Sequence, residues 1–141
     1  MSKHIHPCTL EAAYEVASNL REPDYRECVE GHGIVPTIHI PLASQHGFTR
    51  IFKADNGETA GIVGIQQQKI WMLCTPVIDK YPKTFIREAK RFIDNREEPY
   101  LWNVVDKRNT LHIKLLKFLG FTLHEELPFG PNNLPFIRFS K

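Results

Sequence analysis

Apolar and polar positions change period several times along the chain, and each change marks an element. "HIHPCT" alternates as a short first strand, and behind it "LEAAYEVASNL" carries a helical apolar stripe with Thr9 as N-cap and Glu11 in the first turn. Pro23 breaks that pattern, and "DYRECVEGHG" predicts a second short helix ending at Gly31 or Gly33. "IVPTIHIPLASQHG", with two prolines, predicts extended chain or loop. Asn56-Gly57 between two β-rich runs predicts a hairpin. "KIWMLCT" is apolar on both sides and reads as a central strand. Pro82 opens a helix to about Asn95, with Phe85, Ile86, Ala89, Phe92 and Ile93 as its buried stripe. "YLWNVV" is a second central strand, followed by a helix at about Asn109–Leu119. "FTLHEEL" and "PFIRFS", joined by a Gly-Pro-Asn-Asn loop, complete a sheet. The order predicts a mixed α/β layer fold, with residues 1–141 as one domain.

Composition narrows the function classes. At 42% hydrophobic and 24% charged residues the chain is globular material, and a net charge of +2 gives no field that would draw nucleic acid or a membrane. No apolar run approaches a membrane span and residues 1–20 lack a signal peptide's apolar centre, so a soluble intracellular protein is expected. Cys8, Cys28 and Cys74 are scattered and odd in number, as reduced thiols would be. Lys80, Lys83, Arg87, Lys90 and Arg91 give the third helix a basic edge, diluted by Asp79, Glu88 and Asp94 into an ordinary solvated face. His4, His6 and Cys8 lack a second ligand pair, so no metal is expected. His32, His39 and His46 recur every seven residues, but Pro36 and Pro41 argue against one continuous helix. Trp71 and Trp102 read as core.

The helix "NTLHIKLLKFLGF" raises a sharper question. At about 100° per residue, Lys107, Thr110, Lys114 and Lys117 form its polar face, and His112 falls opposite with Leu115, Leu116 and Leu119. An inward imidazole is either a core residue paired to Asn103 or Asp106 on the preceding strand, or a donor or base in a pocket.

This helix, with Asn109, Gly120 and Phe121 in register, resembles the signature of the GNAT family of acetyl-CoA-dependent N-acetyltransferases, as does the element order. The resemblance implies a GNAT-like fold and points to Leu73, Thr75, Lys80, Lys83 and Asn109 as candidate cofactor contacts, with His112, Asn109 and Glu58 as candidate catalytic groups. The chemistry asks for three things, and the residues supply them poorly. A pyrophosphate needs a nest of free amides, yet "CTPVIDKYPKTF" has no glycine, two prolines and the charge of Asp79. The leaving thiolate needs a proton donor where Leu116 stands. For the amine's base only carboxylates such as Glu58 are on offer. Neither a cofactor nor turnover is expected; acetyl-CoA is the cofactor if an active transferase survives.

A more specific resemblance covers nearly the whole chain. "LREPDYRECVEGHG", "GIVGIQQQKIWMLCT", "YPKTFIREAKRF" and "LWNVVDKRNTLHIKLLKFLGFTLHEE" are similar to GNAT-like proteins of short-tailed double-stranded DNA phages, the internal virion protein A or head-assembly family. That implies assembly work in the host cytoplasm or within the virion, with phage structural or internal core proteins as partners. Three functions follow: a non-enzymatic morphogenesis factor, a working acyltransferase, or a small nucleotide- or nucleic-acid-binding module. Stabilisation by acetyl-CoA, salt-sensitive DNA binding, and co-purification with head proteins separate them.

Overall fold

The computed structural model describes residues 3–141. Seven strands form one sheet in the order β1-β2-β3-β4-β5-β7-β6. Strands β1 (Ile5–Pro7), β2 (Phe48–Lys53), β3 (Thr59–Gln66) and β4 (Lys69–Cys74) are antiparallel neighbours. Strand β5 (Trp102–Asp106) lies parallel to β4, and β6 (Thr122–Phe129) and β7 (Leu134–Ser140) close the other side as an antiparallel pair. The expected central strands are therefore β4 and β5.

Helices cover both faces. Helix α1 (Leu10–Ser18) and α3 (Pro36–Ser44) pack on Ile51, Ile62 and Leu73. Helices α4 (Pro82–Asp94) and α5 (Thr110–Phe118) cover the opposite face, where Ile70, Val105, Leu116 and Phe139 form one cluster and Phe52, Cys74 and Phe85 another. Alternation along each strand delivers side chains to both layers. Thr9 caps α1 as expected, its hydroxyl accepting from the Ala12 amide at 3.1 Å.

Two local expectations need correction, and the second helix ends at Gly33 as expected but with a wider last turn. Most of the proline-rich stretch expected as extended chain or loop is helical: Pro36 occupies the first position of α3, and Pro41 sits inside it. Pro41 forfeits one helical hydrogen bond, while Ile40 is buried against α1 and the sheet. Tertiary packing outweighs that loss. The second helix, α2 (Glu22–Arg26), widens into a π-helical turn, Glu27–His32, that Gly33 ends at φ +69°. Gly31 is needed there, because a Cβ would lie 2.5 Å from Cζ of the buried Phe136. Ile86, assigned to the buried stripe of α4, is exposed beside α5.

Turn chemistry is also unevenly legible. At the Asn56-Gly57 hairpin Gly57 alone has positive φ, at +86°, and its amide bonds to the Ala54 carbonyl. Between β3 and β4, by contrast, Gln67 and Gln68 both adopt positive φ, the two-residue turn that right-twisted hairpins prefer. Glutamine gives no sequence signal for it.

Candidate functional site

Parallel strands β4 and β5 pair at one end only, at Lys69 and Trp102, and then diverge. The residues turned toward the gap follow from ladder parity. Thr75 donates its amide to Ala60 of β3, so Met72 and Cys74 point their backbone groups away from β3 and toward β5. Leu101 exchanges both hydrogen bonds with Lys141, which turns Trp102, Val104 and Asp106 toward β4.

Side chains and the Arg21 amide satisfy several of these groups. Asn103 spans the gap: its Nδ2 donates to the Ile70 carbonyl at 2.7 Å, and its Oδ1 accepts from the Val104 amide at 2.7 Å. Asp24 Oδ2 accepts from the Cys74 amide at 2.8 Å, while the Arg21 amide donates to the Cys74 carbonyl at 2.9 Å. Glu27 Oε1 accepts from the Asp106 amide at 3.1 Å. The start of α2 thus stands where a neighbouring strand would lie. Asp24, Glu27, Cys28 and Gly31 form a stripe at helical spacing facing the sheet, all buried. The same face analysis that singled out His112 would have found these two acids.

Asn109 completes the cluster. Its side chain caps nothing; Nδ2 donates to Asp24 Oδ1 at 2.9 Å and lies 3.5 Å from Glu27 Oε1. Its Oδ1 is buried and has no hydrogen-bond partner among the described residues. Arg21 Nη1 adds 3.2 Å contact to Asp24. Burial pushes the Glu27 carboxyl up to about 8, helped by the negative charges of Asp24 and Asp106 and opposed by the Asp106 amide and Asn109. Asp106 is also buried, yet the Arg108 guanidinium, in contact with both its oxygens, holds it below the usual carboxylate range. The two neighbouring carboxyls therefore differ in charge at neutral pH. Burial also pushes the thiols of Cys28 and Cys74 up, so neither is a nucleophile at that pH.

Two cavities meet this cluster. One, of about 520 Å³, crosses the sheet at the gap, lined on one side by Cys28, Ile40 and Trp71 and on the other by Phe85 and Phe92. The second, of about 470 Å³, lies between α4 and α5. His112 and Met72 border both. Surrounding protein pushes the His112 imidazole below its ordinary value, against the pull of Asp24, so the ring is neutral at pH 7. The partners expected for it are engaged elsewhere: Asn103 in the gap and Asp106 on Arg108. No hydrogen bond to the ring is present among the described residues.

The other candidates scatter. Glu58 lies in the β2–β3 hairpin, bonded to the Asn56 side chain and 3.9 Å from Lys80. Lys83 is exposed on the first turn of α4. Leu73 faces α1 and α3, and its backbone belongs to the β3 ladder. Thr75 donates its hydroxyl to the Thr59 carbonyl and accepts from the Val77 amide. The expected phosphate turn is a 3-10 turn, Pro76–Asp79, whose amides at Val77 and Ile78 bond back to Thr75. Leu116 is buried in the α5 core. Of the candidates, Asn109 and His112 meet around Asp24 and Glu58 meets Lys80, and the two pairs belong to separate regions.

At the N-terminus, His4 is buried rather than presented beside His6. Its Nε2 lies 2.7 Å from Asp55 and its Nδ1 3.1 Å from Glu88 of α4, and the ring stacks on Phe52. His6 bonds to the Lys3 carbonyl and Cys8 to the Thr9 carbonyl, so the three predicted ligand candidates do not converge.

Solved structures share this architecture. A GNAT-family acetyltransferase from Bacillus anthracis superposes with a TM-score of 0.66 at 11% identity, over 97% of this chain and 92% of that one. Spermidine N-acetyltransferase from Vibrio cholerae, in complex with CoA and spermine, gives 0.66 at 11% identity, over 97% and 93%. A GCN5-related N-acetyltransferase from Brucella melitensis gives 0.65 at 12% identity, over 100% of this chain and 76% of that one. These likenesses establish the GNAT fold and nothing about activity. No curated protein matches the chain significantly. Residues 51–128 match the family model described as bacteriophage T7, probable scaffold protein Gp13. That stretch holds β3, β4, α4, β5, α5, half of β2 and most of β6, so this GNAT-fold chain belongs to that phage scaffold-protein family.

Proposed function

We propose that the protein is a phage morphogenesis factor that works through protein contacts on a GNAT scaffold no longer turning over acyl-CoA. The observation that carries this reading is the engagement of backbone groups along the β4–β5 gap by the protein's own residues. An extended acyl-carrier arm laid there would seek backbone partners, and Asn103, Asp24, Glu27 and Arg21 already hold them at Ile70, Val104, Cys74 and Asp106. Further support comes from Leu116 in place of a proton donor and from the self-bonded turn after β4. Membership of the phage scaffold-protein family supports assembly in the host cytoplasm, with phage structural proteins as partners. The finer assignment, to the internal virion protein A group and an internal core partner, rests on the sequence resemblance of the blocks around "LWNVVDKRNTLHIKLLKFLGF".

The alternative is an active N-acetyltransferase. It is favoured by Met72, whose backbone groups still face the gap between two cavities, and by the CoA held in the Vibrio neighbour. Isothermal titration with acetyl-CoA separates the readings. No heat of binding is expected, together with co-purification with head proteins from infected cells. Micromolar binding that is lost on substituting Lys80 or Lys83 would establish the transferase instead.

A further inference from the structure

The α4–α5 cleft is mainly apolar, and the helices that form it carry exposed cations. Ile78, Phe85 and Leu115 line its depth, and Ile86, Leu111 and Phe118 stand exposed at its mouth. Lys114 lines the cleft, and Lys83 and Arg87 on α4 and Lys117 on α5 stand exposed on the two helices that form it. None of the four has a carboxylate within ion-pair distance among the described residues, although Lys80, Lys90, Arg91 and Lys107 each have one. Among the described residues, the acids that line the cleft are Asp79 and the buried Asp24. An exposed apolar patch flanked by an excess of charge of one sign marks an interaction surface.

The opposite side of the molecule carries the complement. On α1, Leu10 and Tyr14 are 55% and 56% exposed, one helical turn apart. Glu11 and Glu15 project beside them at the same spacing, with no cation within ion-pair distance among the described residues. Neither α1 nor α3 contains a lysine or arginine, and Val35, Ile38 and Leu42 extend the apolar surface. One-turn rows of carboxylates on α1 match the one-turn rows of cations on α4 and α5, with apolar side chains between them in both.

We infer that copies of this chain join head to tail, the α1 surface of one seating in the α4–α5 cleft of the next. The two surfaces lie on opposite faces of the sheet, so they cannot meet within one molecule. A contact between unlike patches leaves one free cleft and one free α1 at the ends, and it propagates to a ring or filament rather than stopping at a dimer. The inference deepens the protein-contact reading and rests on it by naming one partner as a second copy.

Sedimentation velocity of the full chain over a rising concentration series is the test. Growth past the dimer is expected. Glu11→Lys with Glu15→Lys, or Lys114→Glu with Lys117→Glu, should each weaken association at least tenfold. All four changes in one chain should restore it, which a merely unfolded variant would not do. A monomer at every concentration, a dimer that grows no further, or an assembly indifferent to the reversals overturns the inference. A monomer that still co-purifies with head proteins removes only this inference and leaves the proposed function standing.

Discussion

The two junctions made by β4 differ in what holds them. Toward β3, the strand is paired along its length, from Gly61 with Cys74 to Gln66 with Lys69. Toward β5, one pair at Lys69 and Trp102 gives way to a gap bridged by Asn103, Asp24 and Glu27. A backbone ladder is nearly independent of side-chain identity, whereas a side-chain bridge is encoded by a few residues and can be lost or gained by single substitutions. The same fold can therefore leave the backbone of its central gap free for a ligand or engage it from within.

The largest effect should come from breaking the bridge. Asp24 is 3% exposed and holds the Cys74 amide, Arg21 and Asn109 together. Asp24→Ala strands those partners and should lower stability by about 3–5 kcal/mol in chemical denaturation. A loss under 1 kcal/mol would show that the gap is held some other way.

Glu27 sharpens the comparison through pH. Its native carboxyl titrates near 8, above the unfolded value, so the folded state binds the extra proton. Its contribution is whole below the unfolded pKa and falls away as pH rises from about 4.5 to about 8. Glu27→Gln mimics the protonated form and should abolish that decline, leaving the variant roughly 2–4 kcal/mol more stable than wild type at pH 9. Parallel stability curves for the two proteins over this range would contradict the assignment.

At the ladder junction the lever is the turn. Gln67→Asn with Gln68→Gly suits the positive φ at both positions and should raise stability by about 0.5–1 kcal/mol, read as a higher melting temperature. An unchanged or lower melting temperature would mean that the turn is not strained. The smallest effect concerns His112, whose native pKa lies below the unfolded one. Its contribution is whole above the unfolded value and declines as pH falls below it. His112→Leu should flatten the loss of stability between pH 7 and pH 5, as melting curves across that range would show.

The gap also shows why the site was less legible than the fold. His112 was placed on an inward face by helical period alone, and it borders both cavities. Its assumed partners, Asn103 and Asp106, were wrong because strand parity and divergence send the first across the gap and Arg108 claims the second. Leu73 and Thr75 sit on the expected strand end, but parity gives their amides to β3. Neither parity nor divergence is written in a single strand's residues.

By itself the sequence determined the elements whose signals are local. Thr9 caps α1, Pro82 opens α4, Gly57 sits at the hairpin, and apolar period sets β4, β5, α4 and α5. Each depends on residues within a turn or two of one another. Tertiary structure alone decided that Pro36–Ser44 is helical, because burial of Ile40 outweighs the bond that Pro41 cannot make. It also decided that Asp24 and Glu27 hold amides of β4 and β5 along the gap. Those carboxylates meet amides 50 and 79 residues away in sequence, and only the packing of α2 against the diverging strands brings them within hydrogen-bond reach.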